Sequence, residues 1–366
     1  IASRMADEIE RALADGLVLD DRALATLLLQ LGEIRRADGN MDAAATAARR
    51  ALEIQKRLGD GAAARWPARA LLMTELQKKD RSQWKAYLLE ILRELEADTT
   101  ADPLALASVR LEVGHNMEFV EEYELGERLI REAMPDLEAK LPPNEHRVLG
   151  AYYALGSLLV AMDRSAEALP YLEELMRRKV SLLGEHDPNT SRSRLHLARA
   201  LAGVGRNAEA RAHFEQAVAD LRKVGSFPQG PVMVATMQLG RLDLRESKWA
   251  DAERNFREAL LISDATGGPR GGNALEARYL LAESLAGQQR WDEALALLAE
   301  CEPLVSWTMP SDAAWGVAYA TALVRTNQAA RAAPYLDRVD RLVAAKPERL
   351  QRVAAKAAAL RAELRG

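Results

Sequence analysis

The sequence has little of several features that mark particular protein classes. Cys301 is the only cysteine among 366 residues, so no intramolecular disulfide can form. No apolar run approaches the roughly 20 residues that a membrane-spanning helix needs. Fifty basic and fifty-four acidic residues leave a formal net charge of -4. That balance argues against a general nucleic-acid binder, because such proteins carry a basic excess or stripe.

The residues that are abundant favour α-helix. Ala, Leu, Arg and Glu dominate, aromatic residues make up only 5% of the chain, and β-branched residues are sparse. The hydrophobic share of 48% is ample for a folded core and argues against intrinsic disorder.

A short motif, a large apolar residue followed by Gly or Ala, recurs along the chain. Its small residue falls at positions 32, 114, 156, 198, 240, 282 and 320. The five positions from 114 to 282 are 42 residues apart, the last step is 38, and the first step of 82 is about two periods. A fixed period of this length indicates an array of structural repeats.

Three further rows of residues keep the same spacing. Twelve positions after each small residue stands another Ala or Gly, and sixteen positions after it stands an apolar residue such as Leu172 or Phe256. The residue nineteen positions after the small residue is again small or apolar. Two antiparallel helices need small residues where their backbones approach and a larger apolar residue to fill the groove. The rows therefore predict helix pairs, with Ala210, Ala252 and Ala294 buried between helices.

The predicted fold is all-α, a right-handed alpha-alpha superhelical solenoid of about eight helix pairs that forms one domain over residues 1–366. A leading helix is expected within residues 1–20 and about eight repeats within 21–345, of which 66–96 is divergent. A capping helix is expected within 346–366, with Pro347 in its first turn and its polar residues facing water.

The spacing of the small residues from about 20 to 345 resembles the tetratricopeptide repeat. A unit of 42 residues with a loop such as 183–190 is similar to the kinesin-light-chain variety of this repeat, and bacteria carry many such arrays. Segments 5–11 and 28–34 also resemble the start of the repeat region in bacterial serine/threonine kinases, although no kinase motif is present.

The resemblance implies a superhelix whose concave face, lined by the first helix of each repeat, takes an extended or helical peptide. This sequence lacks the asparagines that kinesin-light-chain repeats often carry two and three places before the small residue. Leu195 and His196 occupy those places in one repeat. It also lacks the Lys/Asn/Arg set that grips a terminal carboxylate, so the class of ligand is not implied.

Helical periodicity places several charged residues on the expected concave face. The basic ones are Arg192, Arg199, Arg241 and Arg245, and the next repeat offers Glu276 and Glu283 at matching positions. Neighbouring arginines repel unless an anion joins them. They predict either a groove for an acidic or phosphorylated peptide, or an internal ladder of Arg and Glu across adjacent repeats.

Three aromatic or flexible residues share one concave position: Tyr153, Met237 and Tyr279. They form either a peptide-facing stripe or packing between first helices. Trp249, Trp291 and Cys301 are expected to be structural.

No sequence motif points to catalysis or to a metal. The five histidines form no HExxH pair, and no GxSxG motif appears. The leading hypothesis is a bacterial scaffold that binds a protein or peptide, without enzymatic activity, cofactor, metal or nucleic-acid partner. The sensory or regulatory part of a larger kinase or transcriptional regulator is the alternative, and an enzyme with its site in the groove is a remote one.

The place of the chain in the cell is less constrained. A cytoplasmic location is expected, with an extracytoplasmic one left open. The chain begins at Ile1, so a piece of a longer protein is expected. Its oligomeric state is left open.

Overall fold

The computed structural model describes residues 2–79, 81–99, 101–224, 229–267, 272–308, 310–348 and 350–365. Every regular element in these ranges is helical, which confirms the all-α prediction. The chain divides into two compact units, Ile1–Arg178 and Lys179–Gly366, and the boundary lies within one helix. The single domain over residues 1–366 stays a prediction.

The first unit contains a leading helix followed by four helix pairs. The helices are α1 (Ala2–Ala14), α2 (Asp21–Ala37), α3 (Met41–Arg57), α4 (Trp66–Lys79), α5 (Arg81–Ala97), α6 (Pro103–Met117), α7 (Tyr123–Lys140), α8 (His146–Ala161) and α9 (Ser165–Leu183). The pair α4–α5 corresponds to the divergent repeat. Asp80, between these two helices, lies outside the described residues.

The second unit contains four helix pairs and a closing helix. These are α10 (Pro188–Gly203), α11 (Asn207–Lys223), α12 (Gly230–Arg245), α13 (Trp249–Gly267), α14 (Gly272–Gly287), α15 (Trp291–Cys301), α16 (Pro310–Arg325), α17 (Ala333–Ala345) and α18 (Gln351–Arg365). Within the described residues, the pairs follow the repeats expected from the sequence. The closing helix begins later than predicted, because Pro347 precedes it instead of lying in its first turn.

Aspartate caps fix where several first helices begin. The Asp187 carboxylate accepts a hydrogen bond from the backbone N–H of Asn189 at 2.8 Å, and Pro188 takes the first helical position. Asp102 and Pro103 start α6 in the same way. These caps satisfy N–H groups that have no partner within the helix.

The small residues lie where the two helices of a pair approach most closely. A Cβ atom added to Gly126 of α7 would lie 2.7 Å from the carbonyl oxygen of Gly114 in α6. A Cβ atom on Gly240 would lie 2.8 Å from the ring of Phe256, the residue sixteen positions later. Phe256 is fully buried. These contacts match the rows of residues read from the sequence.

The turn inside each pair repeats a left-handed backbone conformation at the same register. Positive φ angles occur at Glu121, Asp163, Gly205, Ser247 and Gln289, which are 42 residues apart. Only one of the five is a glycine, although glycine adopts this conformation most easily. The period is therefore present in the backbone even where the turn sequence differs.

Replacing Ala252 with leucine should destabilise the second unit. Ala252 is fully buried on α13, so the added methylenes would overpack the contact and cost about 1–3 kcal/mol. The measurement is the midpoint of urea unfolding. Ala250→Leu, at an exposed site two residues earlier on α13, is the control and should change the midpoint little. An unchanged midpoint for Ala252→Leu would contradict the repeat alignment.

Candidate ligand-binding face of the second unit

A pocket opens between α14, α16 and α18, with its floor on α15. Its volume is about 460 Å³, which lies in the usual range of ligand sites. Small and aliphatic side chains dominate the wall, including Ala282, Ala286, Ala318 and Val317. Because alanines on α14 and α16 face α18, the space between these helices is left unfilled.

Arg241 and Glu276 form an ion pair between neighbouring first helices. The Arg241 guanidinium donates a hydrogen bond to Glu276, and both side chains are half-buried. The Tyr279 side chain lies close enough to Arg241 for the two groups to interact electrostatically. Burial, with the negative charge of Glu276, raises the pKa of Tyr279 well above its usual range. This part of the face matches the internal Arg–Glu alternative.

Arg245 lies one turn after Arg241 and has a different environment. One of its terminal nitrogens donates to the carbonyl oxygen of Ala202 at 3.2 Å. Burial and the nearby positive charges of Arg352 and Arg241 lower the pKa of Arg245. Among the residues that the structure describes, neither Arg245 nor Arg352 forms an ion pair with a carboxylate. The guanidinium groups of Arg245 and Arg352 thus create a local positive potential.

The two remaining arginines lie on α10. Arg199 is half-buried and Arg192 is exposed, and α10 packs against α12, which carries Arg241. Arg192 lies close enough to Lys179 to contribute, after burial, to lowering the pKa of that lysine. Within the described part of the chain, Arg199 forms no ion pair.

Glu283 pairs with the closing helix. The Lys356 ammonium of α18 donates to Glu283 on α14, and Arg325 of α16 pairs with Glu363 of α18. Arg361 of α18 pairs with Asp337 of α17 at 2.7 Å. The expectation that the polar residues of the closing helix face water is wrong for Arg361, whose side chain is largely covered and pairs with acidic residues on α17. Lys356 remains largely exposed beside Glu283.

Met237 and Tyr153, two residues of the expected stripe, pack against neighbouring side chains. Met237 is only 4% exposed and packs in the core of the second unit, so it offers no surface to a ligand. The physical reason is close packing between first helices, the alternative interpretation. Tyr153 lies in the first unit, half-buried, with its ring edge-on to His115 at 5.7 Å between centroids.

The site residues that sequence reasoning missed are on α18. Arg352, Val353 and Lys356 line the pocket beside Tyr279 and Glu283. The repeat period could not identify them, since α18 has no partner helix and belongs to no repeat. Their only sequence signal is the spacing of Arg352, Lys356 and Glu363, which places them near one helix face.

In the described part of the chain, no group of three or more His, Cys, Asp or Glu residues is arranged to hold a metal ion. None of the helices described is both long and apolar enough to span a membrane. Burial raises the pKa of the Cys301 thiol to about 11, consistent with its core position.

A family model described as tetratricopeptide repeat matches residues 147–223 and 232–305. The first segment covers most of α8 through α11, and the second covers most of α12 through α15. These segments are tetratricopeptide repeats. The family assignment made from the spacing of the small residues is thereby confirmed.

Two solved structures are similar to this chain over nearly its whole length. A Rap protein complexed with Competence and Sporulation Factor matches with a TM-score of 0.59 and 14% identity, over 97% of this chain and 93% of that one. The STAND protein PH0952 of Pyrococcus horikoshii, with a tetratricopeptide repeat sensor, has a TM-score of 0.59 and 14% identity, over 95% of this chain and 53% of that one.

A third solved structure matches a shorter part of this chain. The putative kinesin light chain of Podosopora anserina, with nearly identical TPR-like repeats, matches with a TM-score of 0.46 and 20% identity, over 56% of this chain and 96% of that one. No curated protein matches the chain. At these identities, the likeness shows the fold alone.

Proposed function

We propose that this tetratricopeptide-repeat chain is a scaffold that binds a protein or peptide on the first-helix face of its second unit, and that the bound segment is acidic or phosphorylated. The tetratricopeptide fold fits a protein-binding scaffold, and the similar Rap protein was solved complexed with Competence and Sporulation Factor. Binding without catalysis is part of the proposal.

The observation that carries the acidic character is the uncompensated charge of Arg199, Arg245 and Arg352. None of the three pairs with a carboxylate among the described residues, whereas Arg241 already has Glu276. Guanidinium groups bind carboxylate and phosphate through paired hydrogen bonds. A ligand anion would supply the partners that the chain itself does not provide.

Selection from a displayed library of random short peptides tests this proposal. The peptides enriched on the complete chain should be acidic, and their affinity should fall as salt rises, because charge attraction is screened over about 8–10 Å at physiological ionic strength. Arg199→Ala and Arg245→Ala should together weaken the best peptide by about tenfold or more and leave thermal unfolding nearly unchanged.

Two variants serve as controls. Arg254→Ala removes an exposed arginine from α13, a second helix, and should leave affinity unchanged. Arg241→Ala breaks the pair with Glu276 and should lower stability modestly. The proposal fails if no peptide is enriched, and its acidic part fails if the enriched peptides are neutral or basic.

A sensory region of a larger signalling protein is a second candidate. Its support is the likeness to the STAND protein, whose tetratricopeptide repeats are described as a sensor. The sequence of the complete gene tests it. A kinase, ATPase or DNA-binding domain in the same reading frame would support this candidate, and its absence from the complete gene would refute it.

A further inference from the structure

We infer that the pocket between α14, α16 and α18 receives a bulky apolar side chain of the bound peptide, and that the acidic residues of the peptide lie next to that side chain, against Arg352 and Arg245. The inference rests on the proposed function and adds to it the chemistry of the peptide residue that enters the pocket, which we call the anchor. The occupant is therefore an acidic segment with an aromatic or large aliphatic residue at its centre.

The size and lining of the pocket determine the anchor. A volume of about 460 Å³ is far larger than a water site, and walls of alanine, valine and leucine offer few hydrogen bonds to water. Ala282, Ala286, Ala318 and Ala322 provide the open space, while Leu298 and Trp291 form the floor. Buried aromatic or aliphatic anchors commonly dominate the binding energy of a peptide or protein partner.

The charges around the rim determine what stands beside the anchor. Two rim pairs, Lys356 with Glu283 and Arg325 with Glu363, are neutralised internally. Arg352 also lines the pocket and pairs with no carboxylate among the described residues. Its charge lies near those of Arg245 and Arg241. One end of an otherwise apolar site is thus positive, which is complementary to a carboxylate or phosphate that flanks the anchor.

The closing helix offers a matched pair of substitutions. Ala359 lines the pocket and Ala358 does not, yet both are exposed alanines on α18. Changing either to tryptophan costs the same intrinsic helix propensity. Ala359→Trp should fill the pocket, whereas Ala358→Trp should leave it open.

The first measurement uses a small probe with the expected chemistry. Anilinonaphthalenesulfonate carries an aromatic body and one anionic group, and its fluorescence rises in an apolar site. We expect the chain to bind the dye, Ala359→Trp to reduce binding at least about tenfold, and Arg352→Gln to weaken it less. Ala358→Trp should bind like the unmodified chain. Equal binding by the two tryptophan variants would overturn the pocket assignment.

The second measurement uses the peptides enriched in the library selection. They should share a bulky apolar residue flanked by acidic residues. Changing that residue to alanine in the peptide, or Ala359 to tryptophan in the chain, should each lower affinity at least about tenfold. The peptide should also displace the dye, and its alanine variant should not.

The outcomes separate this inference from the proposed function. Acidic peptides that bind Ala359→Trp and the unmodified chain equally would keep the proposed function and overturn the anchor. Dye binding that no enriched peptide displaces would assign the pocket to a small anionic ligand, which also overturns the anchor. A selection that enriches no peptide overturns both.

Discussion

Replacing Trp315 with alanine should lower the free energy of unfolding of the second unit by about 3–5 kcal/mol. Trp315 is fully buried on α16. Its ring stacks on Tyr319 with centroids 4.9 Å apart and meets Trp307 and Tyr335 edge-on. Its indole N–H donates to the carbonyl oxygen of Leu298 at 3.2 Å. The variant loses the buried area, the ring contacts and one buried hydrogen bond together.

The measurement is urea-induced unfolding followed by circular dichroism. Trp291→Ala is the control, because Trp291 is only half-buried on α15 and should lose less. Trp315→Phe keeps a ring while removing the indole N–H, and it should fall between the two. Equal losses for Trp315→Ala and Trp291→Ala would contradict the placement of Trp315 in the core.

The part of the fold that depends on spacing could be predicted from sequence. Small residues twelve apart, such as Gly114 and Gly126, can be read directly, because helices that approach closely exclude larger side chains at that register. The leading helix, at Ala2–Ala14, likewise lies within the predicted residues 1–20. Periodicity identifies a helix face because residues three or four apart share it.

The part that depends on the end of the array could not be predicted. The last step between repeats is 38 residues instead of 42, and an aromatic cluster of Trp307, Trp315, Tyr319 and Tyr335 fills that region. No row of the repeat contains these rings. The closing helix α18 packs against α16 and α17, and its Lys356 pairs with Glu283, a residue 73 positions away in the sequence.

On the candidate ligand-binding face, too, spacing could predict some features and not others. Spacing correctly predicted that α12 and α14 present matching charges, and Arg241 does meet Glu276. Spacing alone could not tell a core position from a surface position, so it left both interpretations open for Met237, which is buried. Whether the remaining arginines bind a ligand stays a prediction.

Replacing Asp220 with asparagine should cost roughly 3 kcal/mol of stability at neutral pH. The Asp220 carboxylate on α11 has a fully buried side chain. It accepts hydrogen bonds from Gln216 at 2.9 Å and from the buried hydroxyl of Ser191 at 3.4 Å, and it contacts Nδ1 of His186 at 3.0 Å. These contacts tie the loop before α10 to the second helix of the same pair. The side-chain NH2 group of an asparagine is itself a hydrogen-bond donor, so it would face the donor groups that now bind the carboxylate.

His186→Ala is the control for this change. His186 is largely exposed, so its loss removes one partner and leaves the carboxylate with Gln216, Ser191 and Lys223. We expect a loss of about 1 kcal/mol or less. In the Asp220→Asn background, the same substitution should cost still less, since the carboxylate that it contacted is gone. A full additional loss in the double variant would show that His186 acts independently of Asp220.

Lowering the pH should remove the difference in stability between the unmodified chain and Asp220→Asn. Burial by itself would raise the pKa of Asp220, but hydrogen bonds from Gln216, His186 and Lys223 outweigh it, so the folded-state pKa is lowered. A lowered folded-state pKa contributes stability that is complete above the unfolded-state pKa of about 4. That contribution is lost as pH falls through the lower folded-state pKa. Urea midpoints of the unmodified chain and Asp220→Asn should therefore differ most near neutral pH and converge below about pH 4. A difference that stays constant with pH would show that the carboxylate is not held ionised by these contacts.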